Sequence, residues 1–159
     1  MSIVHPIPPL YDENSKVLIL GSFPSVKSRE SGFFYGHPQN RFWKVIASVC
    51  GQEIPKNIQE KKELLLSHNI AVWDVIQSCD ITGSSDSSIK NVVANDISKI
   101  VSESKIEKIY TNGKKAYQLY EKYILPDSGI DAICLPSTSP ANAAWNLEKL
   151  VMEWSKIKK

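Results

Sequence analysis

Two polar loops far apart in the chain carry the groups best suited to hold a flat, polar ligand. Residues 21–25 (GSFPS) follow the apolar run 17–20, and residues 136–142 (PSTSPAN) follow the apolar run 131–135. Between them lies 30–43 (ESGFFYGHPQNRFW), in which Phe33, Phe34 and Tyr35 precede His37, Gln39, Asn40 and Arg41. Aromatic faces beside amide and guanidinium groups suit a heterocyclic base. The same residues also read as a cap on the core, with Asn40 N-capping the helix after it. Asp74, the sole acid in the Val72-Trp73-Asp74-Val75 stretch, reads as a site carboxylate, a partner for a loop amide or a strand-end cap. Asn112-Gly113 is either a left-handed turn or a contact, and Lys114 and Lys115 meet either phosphate or solvent.

The elements that must position these loops alternate between two patterns. Short apolar runs at 17–20, 70–75, 108–111 and 131–135 read as buried strands. Apolar residues at helical spacing mark 40–50, 58–68, 95–104, 114–125 and 142–158, with Asn69 closing the second of these. Strands separated by helices imply βαβ crossovers and a three-layer αβα protein around a four-stranded parallel sheet. In such a sheet the loops leaving the carboxyl ends of the strands line the ligand crevice. Segments 21–25, 73–78, 112–115 and 136–142 therefore fall on one edge. The polar stretch 80–88 reads as a loop rather than a linker, so residues 1–159 form a single domain.

Composition narrows the choice of chemistry. With 159 residues and 42% hydrophobic content, the chain can bury a full core. No apolar run approaches the roughly 20 residues that span a bilayer, and residues 1–11 lack the apolar stretch of a secretory signal. A cytoplasmic protein without membrane contact is the expectation. Cys50, Cys79 and Cys134 are scattered, and His5, His37 and His68 lack metal-ligand spacing, so neither a metal nor another cofactor is expected. A net charge of +2 neither demands nor excludes nucleic acid. The GxGxxG, GxxxxGK[ST] and GxSxG motifs are absent, as is the HxE with PCxxC pattern of the zinc deaminases.

The ordered set of segments resembles the uracil-DNA glycosylase superfamily. Gly21-Ser22-Phe23-Pro24-Ser25 matches its first motif, G-x-x-P-[GS], and Leu135 through Asn142 matches its Pro/Ser loop after the last strand. Within the superfamily the likeness is to the hypoxanthine-DNA glycosylase branch. The segments that carry it are GSFPS, 34–43 (FYGHPQNRFW), Trp73-Asp74-Val75, Gly83-Ser84 with Asp86, Ile89 and Asn95-Asp96, then Asn112-Gly113 with Ala116, and LPSTSPA at 135–141. The resemblance runs through nearly the whole chain.

It implies a monofunctional, monomeric DNA glycosylase that flips a deaminated base, hypoxanthine by this branch, and hydrolyses its N-glycosidic bond. The partner is DNA containing deaminated bases. Alternatives are a uracil glycosylase of the same superfamily, a lesion-DNA-binding domain without catalysis, and a small-molecule nucleotide-binding domain. Phe23 stands where many relatives carry a catalytic Asp, Asn or Glu, and is suited to stacking on the base. The catalytic amide falls on Asn40, whose carbonyl oxygen is expected to position the attacking water. Gly21, Ser22, Phe23, Pro24, Tyr35, Asp74 and Asn112 are expected to bind the base. Ser25, Pro136, Ser137, Thr138, Ser139, Pro140 and Lys114 are expected to meet DNA, with Ser25 replacing the branch's usual Gly. Leu135 stands where several relatives carry a His, so no histidine stabilises the leaving group from that position.

Overall fold

The computed structural model describes residues 2–158. Four apolar strands, β2 (Val17–Gly21), β3 (Ile70–Asp74), β6 (Lys108–Asn112) and β7 (Ala132–Leu135), form a parallel sheet in the order β3-β2-β6-β7. These are the four runs expected as strands. Their side chains alternate between two cores, as the two-residue period of a strand requires. Ile19, Val72 and Tyr110 face α2 (Phe42–Cys50), α3 (Ile58–Ser67) and α7 (Leu147–Trp154). Leu18, Leu20, Ala71 and Ile109 face the other way, toward Leu119 and Tyr120 of α5 (Lys114–Tyr123) and Ile97, which precedes α4 (Ser98–Ser102).

A second sheet, absent from the sequence reading, lies on this second face. Strand β1 (Ile3–Val4), β4 (Ile76–Asp80) and β5 (Lys90–Ala94) pair antiparallel in the order β1-β4-β5. It escapes a periodicity argument because β1 has two residues and the β4–β5 register shifts twice. The run 70–75, expected as one strand, ends at Asp74, and after Val75 the chain enters β4.

Helix boundaries move for local reasons. The helix expected over 142–158 begins at Leu147, because the carbonyls of Asn142 and Trp145 are taken by Arg41 and Asn146 caps instead, accepting Lys149 N–H at 2.9 Å. The helix expected from residue 95 begins at Ser98, because the Asn95 side chain donates to the carbonyls of Asp74 and Ile76. Helix α5 stops at Tyr123 and a separate turn, α6 (Leu125–Ser128), follows. The short helix α1 (Val26–Ser31), which has no apolar period, is capped by Ser25 and ends at Gly32 with φ 77°. Asn69, expected to close α3, adopts φ 62° just beyond it. No helix among the described residues is long and apolar enough to cross a membrane.

Candidate active site

Strand β2 is central, and the chain leaves it for β3 on one side and later for β6 on the other. Reversal of direction at that point opens a crevice at the carboxyl edge of the sheet. A cleft of about 350 Å³ occupies it. Residues 21–25 form one wall, residues 137–141 the opposite wall, and Asp74 and Asn112 reach in from the ends of β3 and β6. Tyr35, His37 and Asn40 close a third side. Ser84 and Asp86, from the loop after β4, line the cleft as well. That loop is fastened to the first wall: Ser22 donates to Asp86 Oδ1 at 3.0 Å, Val26 N–H to Ser84 Oγ at 2.9 Å, and Arg29 to the Gly83 carbonyl at 2.6 Å. Neither Ser84 nor Asp86 is among the site residues expected from the sequence. Among the described residues, Asp74 and Asp86 are the only acids lining the cleft, and no Lys or Arg lines it.

A chain of oriented hydrogen bonds ties the walls together. The Thr138 backbone N–H donates to Asn112 Oδ1 at 3.0 Å, which fixes that amide and turns its Nδ2 to donate to Thr138 Oγ1 at 3.0 Å. The Thr138 hydroxyl proton is then left for Asn40 Oδ1 at 2.8 Å. Phe42 N–H also donates to Asn40 Oδ1, at 2.9 Å. A carbonyl oxygen has two lone pairs, and both are engaged here. These two bonds occupy the oxygen expected to position the attacking water, while Nδ2, a donor, makes no hydrogen bond among the described residues.

Asp74 and Gly21 are partners across β2 and β3. A Cβ built on Gly21 would stand 2.4 Å from Asp74 Oδ1 and 3.0 Å from the Tyr35 hydroxyl, so only glycine permits this approach. Asp74 Oδ2 is held by His5 Nε2 at 2.7 Å. His5 is the residue sequence reasoning missed. Its isolation near the start of the chain gave no signal, since the contact spans 69 residues. Tyr35 sits at φ 52°, rare for a bulky residue, with its ring stacked on Phe42 at 4.0 Å. Its hydroxyl is buried with no partner in hydrogen-bond geometry, and burial, then the nearby Asp74 charge, push its pKa far above the usual tyrosine value, against a smaller opposing pull from the Asn112 side chain.

The remaining expected residues divide into those at the cleft and those outside it. Phe23 lines it but is buried, with Arg29 over its ring at 5.7 Å and His5 packed edge-on. Pro24 and Pro140 line the cleft, as do Ser137 and Ser139. Ser139 N–H donates to Ser137 Oγ at 3.1 Å and Ala141 N–H to Ser139 Oγ at 3.2 Å, so these hydroxyls brace their own turn. Ser25 lines the cleft while its Oγ accepts Ser28 N–H at 3.1 Å. Pro136 lies behind the wall, its carbonyl accepting from Trp154 Nε1 at 2.9 Å. Lys114 is exposed at the start of α5 and does not line the cleft. Phe33 and Phe34 belong to the core. Arg41 holds no ligand: its guanidinium donates to the carbonyls of Ser139 at 2.8 Å and Asn142 at 3.1 Å, and also to that of Trp145. Among the described residues no three His, Cys, Asp or Glu side chains gather as a metal site.

The profile of the Uracil DNA glycosylase superfamily matches residues 8–158. A protein named hypoxanthine DNA glycosylase from Methanosarcina acetivorans is 36% identical over 152 residues, 94% of each chain. A protein of the same name from Methanosarcina barkeri is 36% identical over 137 residues, 85% of each chain. The solution NMR structure of a candidate uracil DNA glycosylase from Methanosarcina acetivorans superposes with a TM-score of 0.81 at 30% identity, covering all of both chains.

Proposed function

The chain belongs to the uracil DNA glycosylase superfamily, and we propose that it excises hypoxanthine from DNA by hydrolysis of the N-glycosidic bond. The observation that carries this reading is the convergence of Asn40, Asp74 and Asn112 in one cleft at the carboxyl edge of the sheet, in a chain whose relatives bear the name hypoxanthine DNA glycosylase. The target nucleotide leaves the stack and enters the cleft between the Gly21–Ser25 and Ser137–Ala141 walls. Backbone groups near Gly21 and Ser22 hold the base, Phe23 and Tyr35 bound the pocket, and the Pro140 rim meets the DNA strand.

In the reaction the C1′–N9 bond breaks and its electron pair leaves with the base, while water bonds to C1′ through its oxygen and the proton it loses ends on the departing base. The sugar passes through oxocarbenium character. The carboxylate of Asp86 favours that positive charge, and no Lys or Arg among the described residues lines the cleft to oppose it. Asn40 Nδ2 donates to the substrate as negative charge gathers on the departing base, held in place by Thr138 and Phe42. The protein acts as a cytoplasmic monomer without a metal or organic cofactor, a reading supported by a cleft that one chain completes.

The test is a panel of oligonucleotides carrying single hypoxanthine, uracil or xanthine lesions, scored by alkaline strand cleavage and free-base detection. Release of hypoxanthine ahead of uracil is expected. Uracil released first would move the protein to the uracil alternative. Tight lesion binding without base release would make it a binding domain.

A further inference from the structure

His5 reaches Asp74 in a single tautomer. The Ile7 backbone N–H, which can only donate, points at His5 Nδ1 from 3.1 Å. Nδ1 therefore carries the lone pair, and the ring proton sits on Nε2, which donates to Asp74 Oδ2 at 2.7 Å. Both side chains are almost fully enclosed, 2% exposed for His5 and 5% for Asp74. Phe23, Phe34 and Trp73 pack around the imidazole with ring centroids 5.7–6.2 Å away. The ring cannot swing aside, so it holds one lone pair of Oδ2 and stands against that oxygen. Asp74 Oδ1 receives no donor among the described residues and lies over Gly21 at the floor of the cleft.

A carboxylate with both oxygens free matches guanine, which offers N1–H and the 2-amino group side by side. With one oxygen free it matches a base offering a single ring N–H. Hypoxanthine offers N1–H with only C2–H beside it. Adenine offers a lone pair at N1, which a carboxylate repels. We propose that His5 is a specificity-determining positioning residue: by filling one lone pair of Oδ2 and crowding that oxygen with its ring, it leaves Oδ1 as the acceptor offered to the cleft, which selects a ring N–H without a neighbouring amino group. This rests on the reading of the cleft as a base pocket. A guanine 2-amino group would lie against the His5 N–H, donor against donor, and an unsatisfied buried donor lowers affinity roughly tenfold or more.

The experiment uses single-stranded oligonucleotides carrying one 2′-fluoro nucleotide, deoxyinosine, deoxyguanosine or deoxyadenosine, because the fluorine suppresses cleavage and leaves binding to be read alone. The parent is expected to bind the inosine probe at least roughly tenfold more tightly than the guanosine probe. His5→Ala should bring the two within a few-fold of each other, and His5→Gln, whose amide donor can reach Oδ2, should restore the gap. A folded His5→Ala that keeps the parental ratio overturns the inference, as does a parent that does not prefer inosine. If His5→Ala fails to fold, Asp74→Asn decides: its amide oxygen accepts from His5 and turns NH2 to the cleft, so the adenosine probe should gain on inosine, and no gain overturns the inference. A ratio that responds to His5, in a parent that releases no hypoxanthine from a cleavable probe, would overturn the proposed reaction and leave this inference standing.

Discussion

Thr138 donates its hydroxyl proton to Asn40 across 2.8 Å, joining the second polar loop to a residue two positions before α2 and 98 positions away in the chain. The bond sets which end of the Asn40 amide faces the cleft, because the oxygen it occupies already accepts from Phe42 N–H. On the proposed reaction, an amide with its oxygen so engaged donates to the substrate, and Asn40 can be probed as a donor.

Asn40→Asp retains an oxygen for Phe42 N–H and Thr138 but replaces the N–H donor with an acceptor. Stability close to the parent is expected, with base release slower by about 10²–10³-fold, the scale for losing one transition-state donor. Asn40→Ala should lose a similar factor and also some stability. An Asn40→Asp enzyme as fast as the parent in single-turnover assays would return the catalytic role to the oxygen.

Arg41 gathers the carbonyls of Ser139, Asn142 and Trp145 around one planar guanidinium. A lysine ammonium lacks that fork. Arg41→Lys is expected to loosen residues 138–145 and to weaken duplex substrate more than single-stranded substrate, since only the duplex must be opened. Amide hydrogen exchange across this loop is the measurement. Protection equal to the parent's would mean that the loop stands without Arg41.

Gly21→Ala would place a methyl group 2.4 Å from Asp74 Oδ1, an atom whose own side chain is held by His5. Asp74 cannot yield without breaking that pair. A loss of about 1–3 kcal/mol in stability is expected from the overpacking, with KM raised more than kcat is lowered. Denaturant unfolding and steady-state kinetics check the two parts, and unchanged values in both would refute the close approach.

The Tyr35 hydroxyl is buried with no partner in hydrogen-bond geometry, and its ionisation is pushed up from the ordinary 10.0, first by burial and then by Asp74, with Asn112 opposing more weakly. Below pH 10 the tyrosine is neutral in both folded and unfolded chains and gives no pH dependence. Above it the unfolded tyrosine ionises while the folded one does not, so stability falls as pH rises. Tyr35→Phe removes the unsatisfied group and this titration together. It is expected to match or exceed the parent at pH 7 and to lose less stability between pH 10 and 11. A steeper alkaline loss in thermal melts would contradict that assignment.

Much of the protein is legible in the amino-acid order, because the signals are local. The four apolar runs become the four parallel strands, since a buried strand needs only a few consecutive apolar residues. Once the sheet is parallel, topology alone sends Gly21, Asp74, Asn112 and Ser137 to one edge. Other features depend on contacts that no local pattern contains. The second sheet rests on β1, two residues long, and on an irregular pairing between β4 and β5. The pairing of His5 with Asp74, the grip of Arg41 on the second loop and the direction of the Asn40 amide each join residues 69 or more positions apart. Residue type declares that an amide can donate or accept and that a histidine can pair with an acid. Which of these happens is decided by the neighbours that packing supplies, because a buried polar group takes its role from the partner it must satisfy.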